Sequence, residues 1–205
     1  FQQQNFLKER LVMMKLTSIL SAILLISGCA TFEEVNYVLQ KVDTNWSAKN
    51  NEINNAFGSK VFDANKEDAF NALVKTVEEL GFTITENDRE TGYILAQAAA
   101  PIPLTEEEWQ TVVDVEQPGM RSLASDTLPI SSFFLSLHTD GVEIHVNGSV
   151  AKEAIGSRVK FDYTMIDNKV MEMGFTPVQT PPPTAVRVGL VKAWAEYEKQ
   201  LALLK

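Results

Sequence analysis

The feature that most constrains the fold is an alternation of apolar and polar residues on both sides of Asp140-Gly141. An Asp-Gly step between two alternating segments is a strong signal for a two-residue β-hairpin turn. The sequence therefore predicts antiparallel strands at Phe133–Thr139 and Val142–Ala151. In this register one hairpin face is apolar, and a slip of one residue would turn that face towards water. Such a chain has to build a sheet and bury one side of it.

The other face of the predicted hairpin carries His138, Glu143 and His145. The register sets His138 opposite Glu143 and makes the two histidines diagonal neighbours. Imidazole and carboxylate groups suit zinc, so these three residues are the candidate metal ligands. They do not complete a closed site, however, and a polar outer face is ordinary for an antiparallel sheet. We therefore expect no metal cofactor.

Other periodicities place helices against this sheet. Asn65 is suited to cap a helix, and Gly81 is suited to end it. Short turns between successive strands indicate antiparallel pairing. The predicted fold class is α+β, a mainly antiparallel sheet with helices at about 66–80 and 184–203 on one face in a helix-grip-like arrangement. The further strands are expected at 58–63, 82–86, 93–98 and 158–165.

A segment of about 30 residues from Pro101 to Ile130 interrupts the strands. Thr105 followed three residues later by Glu108 matches a capping box. It predicts a helical insertion near 105–116 that stops near Pro118-Gly119. The competing interpretation is a strand. Trp109, Thr111, Val113 and Val115 occupy every second position, as residues on one face of a strand do.

Long insertions on a rigid scaffold often carry binding residues. Trp109, Met120 and Arg121 are therefore the binding candidates. A lid that closes an open end of the sheet explains the insertion equally well.

Composition narrows the function. The chain has 205 residues, 27 acidic against 18 basic, a net charge of −9 and one cysteine. The acidity argues against nucleic-acid binding, and one cysteine excludes an intramolecular disulfide framework. The sequence contains no Gly-rich phosphate loop, nucleophile elbow or H-E-x-x-H motif. We therefore expect no catalytic residues and no enzymatic activity.

Near its amino terminus the chain has an uncharged apolar run, residues 16–26, that follows Lys15. It fits the hydrophobic region of a signal peptide and is too short to span a membrane. The run ends in Ile26-Ser27-Gly28-Cys29, which resembles the lipobox of bacterial lipoproteins. The resemblance implies that a signal peptidase recognises Ile26, Ser27 and Gly28, and that Cys29 becomes the mature amino terminus carrying a diacylglycerol thioether.

This resemblance divides the chain into a signal peptide (1–28), a lipidated tether or amphipathic helix (29–57) and a single α+β domain (58–205). Residues 1–12 are interpreted as an over-extended or non-native start. Apolar residues from Phe32 to Trp46 recur at helical spacing. This helix either docks on a partner or packs on its own domain, and the short pattern favours the second. The polar stretch 47–55 is expected to be a flexible spacer.

Two further resemblances bear on location and fold. In lipoproteins of this type Asp after the lipidated cysteine resembles an inner-membrane retention signal, so Ala30 implies the outer membrane, facing the periplasm. The stretch Val61–Ala98 is similar to small α+β domains of envelope lipoproteins, including the C-terminal modules of the BamC type. The similarity is in the order of elements and implies a fold, not an activity.

The expected function is that of an outer-membrane-anchored lipoprotein that binds or scaffolds envelope components without catalysis. Its partners would be the membrane, through the anchor, and other envelope proteins. The first alternative is a small-ligand or lipid carrier with a groove between the sheet and the C-terminal helix, lined by Phe161, Tyr163 and Trp194. The second alternative is an envelope hydrolase.

Overall fold

The computed structural model describes residues 31–127 and 135–204. The predicted signal peptide, the lipobox with Cys29, and residues 128–134 lie outside the described residues. The described chain has an α+β fold, which confirms the predicted class. Its elements are α1 (Phe32–Phe57), β1 (Ser59–Phe62), α2 (Lys66–Glu79), β2 (Thr83–Asp88), β3 (Tyr93–Ala99), α3 (Glu106–Ser125), β4 (Val142–Lys152), β5 (Ser157–Asp167), α4 (Asn168–Glu172) and α5 (Pro183–Ala202).

The five strands form one antiparallel sheet in the order β1-β5-β4-β3-β2. Strand β4 pairs with β3 along one edge and with β5 along the other, so that Ser149 lies between Tyr93 and Lys160. Residues 135–139 form no strand, and the predicted strand Phe133–Thr139 is wrong over these positions. The reason is that both edges of β4 are already paired. A turn does form at Asp140-Gly141, where Gly141 has a φ of +78°.

The predicted apolar face of the sheet is confirmed. Inward residues alternate along β4 and β5, and α2 and α5 pack against them. Side chains of β3 and α2 pack closely against Gly148. A Cβ atom there would lie 2.8 Å from Ile94 Cγ1 and 3.0 Å from Leu73 Cδ1. The buried residues of the two strands are Val142, Ile144, Val146, Gly148, Val150, Ser157, Val159, Phe161, Tyr163 and Met165.

Helix α1 is part of this core. Thr31 and Glu34 form a capping box at its start. Trp46, Asn50 and Ile53 are buried on one face, and Asn50 Nδ2 donates to the carbonyl of Pro181 at 2.8 Å. The helix thus packs on its own domain, as the sequence favoured. The flexible spacer predicted at 47–55 is wrong, because these residues continue the same helix and the same buried face.

Helix α3 begins at the predicted capping box of Thr105 and Glu108 but extends to Ser125. The predicted stop near Pro118 is therefore wrong, and so is the strand alternative. Proline removes one intrahelical hydrogen bond, here the one to the carbonyl of Asp114. Both Asp114 and Pro118 are exposed, so water is available to that carbonyl. Burial of Met120 and Ala124 favours continuing the helix.

The outer edges of the sheet are short or irregular. Strand β1 has four residues, and β2 has a β-bulge between Ile84 and Glu86. Where β5 extends past the end of β1, its backbone forms two further hydrogen bonds. Phe161 N–H donates to the Gly58 carbonyl at 3.0 Å, and Met165 N–H donates to the Gln179 carbonyl at 2.8 Å.

The close packing at Gly148 predicts a large effect of added volume. Gly148→Val should lower the free energy of unfolding by about 1–3 kcal/mol, because the new methyl groups overlap Ile94 and Leu73. Ser149→Val is the control, since Ser149 points to the opposite, half-buried face. Urea unfolding followed by circular dichroism measures both. Equal stability of the two variants would contradict this packing.

Candidate functional site

An apolar cavity of about 270 Å³ lies at the end of the sheet where β4 begins and β5 ends. Helices α1 and α3, the segment before β4 and the segment after α4 surround it. A cavity bounded by several elements is the usual form of a small-molecule site. Its walls include Trp46, Trp109, Met120, Leu137, His138 and Met165.

Helix α3 brings two of the three predicted binding residues to this cavity. Trp109 and Met120 are eleven positions apart, close to three full helical turns, so they share one face. Both are buried there. Arg121 does not line the cavity. Its Nε donates to the Leu135 carbonyl at 3.1 Å and so holds the segment that closes one wall.

Ser136, His138 and Asp167 supply the hydroxyl, imidazole and carboxyl groups of the lining. His138 Nε2 lies 3.3 Å from Asp167 Oδ2, and His138 Nδ1 lies 3.1 Å from the Asp140 carbonyl oxygen. Asp167 also caps α4 by accepting from the Val170 N–H at 3.0 Å. Lys169 forms an ion pair with Asp140. The hydrogen bond from Lys169, and then its positive charge, hold the pKa of the Asp140 carboxyl below its usual value. Both ring nitrogens therefore face oxygen atoms, an arrangement that fixes the wall of the cavity.

The structure does not bring the candidate metal ligands together. His145 lies on the opposite face of the sheet, with Nε2 at 3.6 Å from Glu143 Oε2. Glu143 also accepts from Asn168 Nδ2 at 3.3 Å. His138 pairs with Asp167 instead, because residues 135–139 form no strand beside β4. Within residues 31–127 and 135–204, no group of three or more His, Cys, Asp or Glu side chains could hold a metal ion.

Glu116 is a buried carboxylate that the sequence reasoning missed. It accepts from Thr184 N at 3.0 Å and from Thr184 Oγ1 at 2.5 Å, at the first turn of α5. A negative charge is favourable at a helix N-terminus, so α3 caps α5 from outside. The sequence position of Glu116 could have indicated its burial, because it lies four residues from both Val112 and Met120 on an apolar helix face.

A second polar link joins the same two helices. Lys192 donates both to the Glu108 carboxylate and to the Pro103 carbonyl, the latter at 2.9 Å. The pKa of the Glu108 carboxyl is lowered most by its hydrogen bond from Lys192. The hydrogen bond from the Thr105 N–H is the second cause. The contacts of Lys192 and Glu116 hold α3 against α5. They therefore also hold Trp109 in its place in the cavity wall.

The groove predicted between the sheet and the C-terminal helix is filled. Phe161 and Trp194 meet edge to face with ring centroids 4.8 Å apart. Tyr163 donates its hydroxyl to the Gly189 carbonyl at 3.3 Å, and burial raises the pKa of that hydroxyl. All three side chains belong to the core. The space beside the predicted binding residues Trp109 and Met120 is therefore at the end of the sheet and not beneath α5.

Two other depressions are open to solvent. One of about 470 Å³ lies between the end of α1 and α5, beside Phe57 and Trp194. The other, of about 540 Å³, lies at the far end of the sheet and is lined by charged residues including Lys66 and Lys152. In the part of the chain that the structure describes, no helix has the length and hydropathy needed to cross a membrane.

Comparison of the chain with models of protein families, with curated proteins and with solved structures found no match. A functional proposal for this protein therefore rests on its own residues and their geometry.

The Glu116 contact predicts a specific loss of stability. Glu116→Ala should lower the free energy of unfolding by about 1–3 kcal/mol, because the Thr184 N–H and hydroxyl lose their acceptor. Glu107→Ala on the exposed side of the same helix is the control and should change it by no more than about 0.5 kcal/mol. Thermal and urea unfolding measure both variants. A Glu116→Ala protein as stable as the control would show that this cap contributes nothing.

Proposed function

We propose that the protein is an outer-membrane-anchored periplasmic lipoprotein that binds or scaffolds envelope components without catalysing a reaction. The observation that carries the proposal is the sequence Ile26-Ser27-Gly28-Cys29 at the end of an uncharged apolar run. A thiol that follows small residues is the acceptor for the acyl anchor in lipoproteins. Several acyl chains on one cysteine give stable membrane attachment.

The start of the folded domain is compatible with this anchor. The capping box of α1 uses Thr31, two residues after Cys29, and Glu34. The helix therefore needs no residue before Thr31 to satisfy its first turn. Cleavage before Cys29 would leave the cap intact. The mature protein would begin almost directly at its first helix.

The character of the domain supports binding over catalysis. The cavity beside Trp109 and Met120 is mainly apolar, and the two ring nitrogens of His138 face Asp167 and a backbone carbonyl. General-base catalysis requires a base within reach of the proton that it removes. Among the described residues, no hydroxyl group is hydrogen-bonded to His138. The envelope hydrolase is accordingly the least favoured alternative.

The anchor is tested by changing the lipobox. When the chain is expressed with its leader in a Gram-negative host, Cys29→Ser should abolish acylation and release the protein from the membrane fraction, because no thiol remains to accept the lipid. Ser27→Ala is the matched control, since it keeps a small residue and should be processed normally. Mass spectrometry of the amino-terminal peptide and fractionation of membranes provide the readouts. An unmodified Cys29 in the unchanged protein would refute the anchor.

The outer-membrane location has its own test. Ala30→Asp should move the protein to the inner-membrane fraction, because Asp at this position resembles a retention signal. Sucrose-gradient separation of the two membranes measures the shift. An unchanged protein already found in the inner membrane would overturn the assigned location but not the anchor.

A second candidate function is the binding of a small apolar ligand in the cavity at the end of the sheet. The favouring observation is a void of about 270 Å³ with a mainly apolar lining. Ligand pockets usually measure about 300–1,000 Å³, so the ligand would be small. This candidate places the ligand beside Trp109 and Met120 and not in the filled groove beneath α5.

A homologous series of n-alkanols tests the cavity. A ligand at about 100 times its Kd adds about 2.7 kcal/mol to stability, so alkanols that fit should raise Tm. Val170→Trp, which places bulk in the cavity wall, should remove this rise. Val115→Trp, on the exposed surface of α3, should keep it. The same Tm response in both variants would show that alkanols bind elsewhere.

A further inference from the structure

We infer that the end of the domain next to Cys29 lies against the phospholipid surface through an apolar patch formed by Phe32, Met173 and Phe175. This inference rests on the proposed lipidation of Cys29. The lipid would hold the protein at the membrane, and the patch would determine which side of the domain faces it.

The patch joins the first turn of α1 to the segment after α4. The rings of Phe32 and Phe175 stack with centroids 4.8 Å apart and an angle of 20° between their planes. The Thr176 N–H donates to Asn36 Oδ1 at 2.9 Å, which ties this segment to α1. This hydrogen bond holds the two segments together beside the stacked rings.

Large apolar side chains of the patch are exposed to solvent. Phe32 is 53% exposed and Met173 63%, and Phe175 is half-buried. Exposed apolar residues that stand alone are common, but a cluster of them marks an interaction surface. Met173 and Phe175 also line the cavity at the end of the sheet, so the patch and the cavity are adjacent.

The length of chain between the patch and Cys29 identifies the occupant. Phe32 is three positions after Cys29, and a fully extended chain spans at most about 3.6 Å per residue. The Cα atoms of the two residues are therefore no more than about 11 Å apart. Acyl chains on Cys29 enter the hydrocarbon region, so the bilayer surface must lie next to Phe32. Aromatic rings and methionines favour the boundary between headgroups and acyl chains.

Charge around the patch distinguishes a neutral surface from an anionic one. Glu33 and Glu172 flank the patch, and the nearby Lys169 is paired with Asp140. A polybasic segment would attract anionic lipids, whereas these carboxylates repel them. We therefore expect the patch to prefer zwitterionic phospholipid and to be insensitive to salt.

The β4–β5 hairpin supplies an internal reference point. Ile155 is 79% exposed and lies in the turn between these strands, whereas α4 follows the other end of β5. Eleven residues of strand at about 3.3 Å each separate the two ends by roughly 35 Å. Ile155 is thus a more exposed apolar residue at the far end of the same domain.

The experiment measures depth in a membrane with an environment-sensitive label. Because the chain has one cysteine, which carries the lipid in the proposed form, an added cysteine would be the only free thiol. Met173→Cys and Ile155→Cys are each labelled with the fluorophore NBD in the lipidated full chain. The proteins are reconstituted into phosphatidylcholine vesicles containing a nitroxide-labelled phospholipid. The label at 173 should shift to the blue and be quenched at least three-fold more than the label at 155.

Anionic vesicles and salt form the second arm. Replacing part of the phosphatidylcholine by phosphatidylglycerol should leave the quenching at 173 unchanged or lower it, and 0.5 M NaCl should not reduce quenching on neutral vesicles. Equal quenching at 173 and 155 would overturn the inference and leave the patch to a protein partner. Quenching at 173 that appears only with phosphatidylglycerol would also overturn it.

Failure of the anchor gives a different result from failure of the patch. If Cys29 carries no lipid, mass spectrometry of the same sample shows the unmodified cysteine and the protein does not sediment with the vesicles. If the lipid is present and the patch does not contact the surface, the protein sediments but neither label is selectively quenched. Only the second result contradicts the apolar patch independently of the anchor.

Discussion

The whole structure depends on the pairing of β4 along both of its edges. Because β3 and β5 occupy these edges, the polar groups of the central strand are satisfied within the sheet. The apolar side chains then need a cover on one side only, which α2 and α5 provide. Gly148 allows that cover to approach closely at the middle of the strand. The same pairing leaves residues 135–139 without a strand partner and places them at the cavity instead.

The two ends of the sheet differ in chemistry. At one end lie the apolar cavity, the His138–Asp167 pair and the stack of Phe32 on Phe175. At the other end lies a depression lined by charged residues. Helix α1 starts at the apolar end, a few residues after Cys29. A lipid on that cysteine would therefore bring the apolar end to the membrane and direct the charged end away from it.

Local patterns predicted most of the elements, and tertiary contacts explain the failures. The spacing of apolar residues in α2, before Gly81, and their alternation along β5 each reflect burial of one face. Patterns of this kind are visible in a single sequence. The partner of β4 was not predictable, because an Asp-Gly turn gives a chain reversal without showing which edge is free. Helix α3 passes Pro118 because that position faces water, and exposure cannot be read before the packing is known. The cavity unites residues from 35 to 182 that no local spacing connects.

The edges of the sheet also limit how another chain is able to bind. A partner that adds a strand needs a free, regular row of backbone donors and acceptors. Strand β1 offers only four residues, and the bulge in β2 between Ile84 and Glu86 interrupts the row on the other side. The Thr85 side chain also donates to the Leu95 carbonyl at 3.1 Å, and Glu86 and Asp88 add charge to this edge. These two edges are consequently poorly suited to strand addition, whether by another protein or by a second copy of the chain.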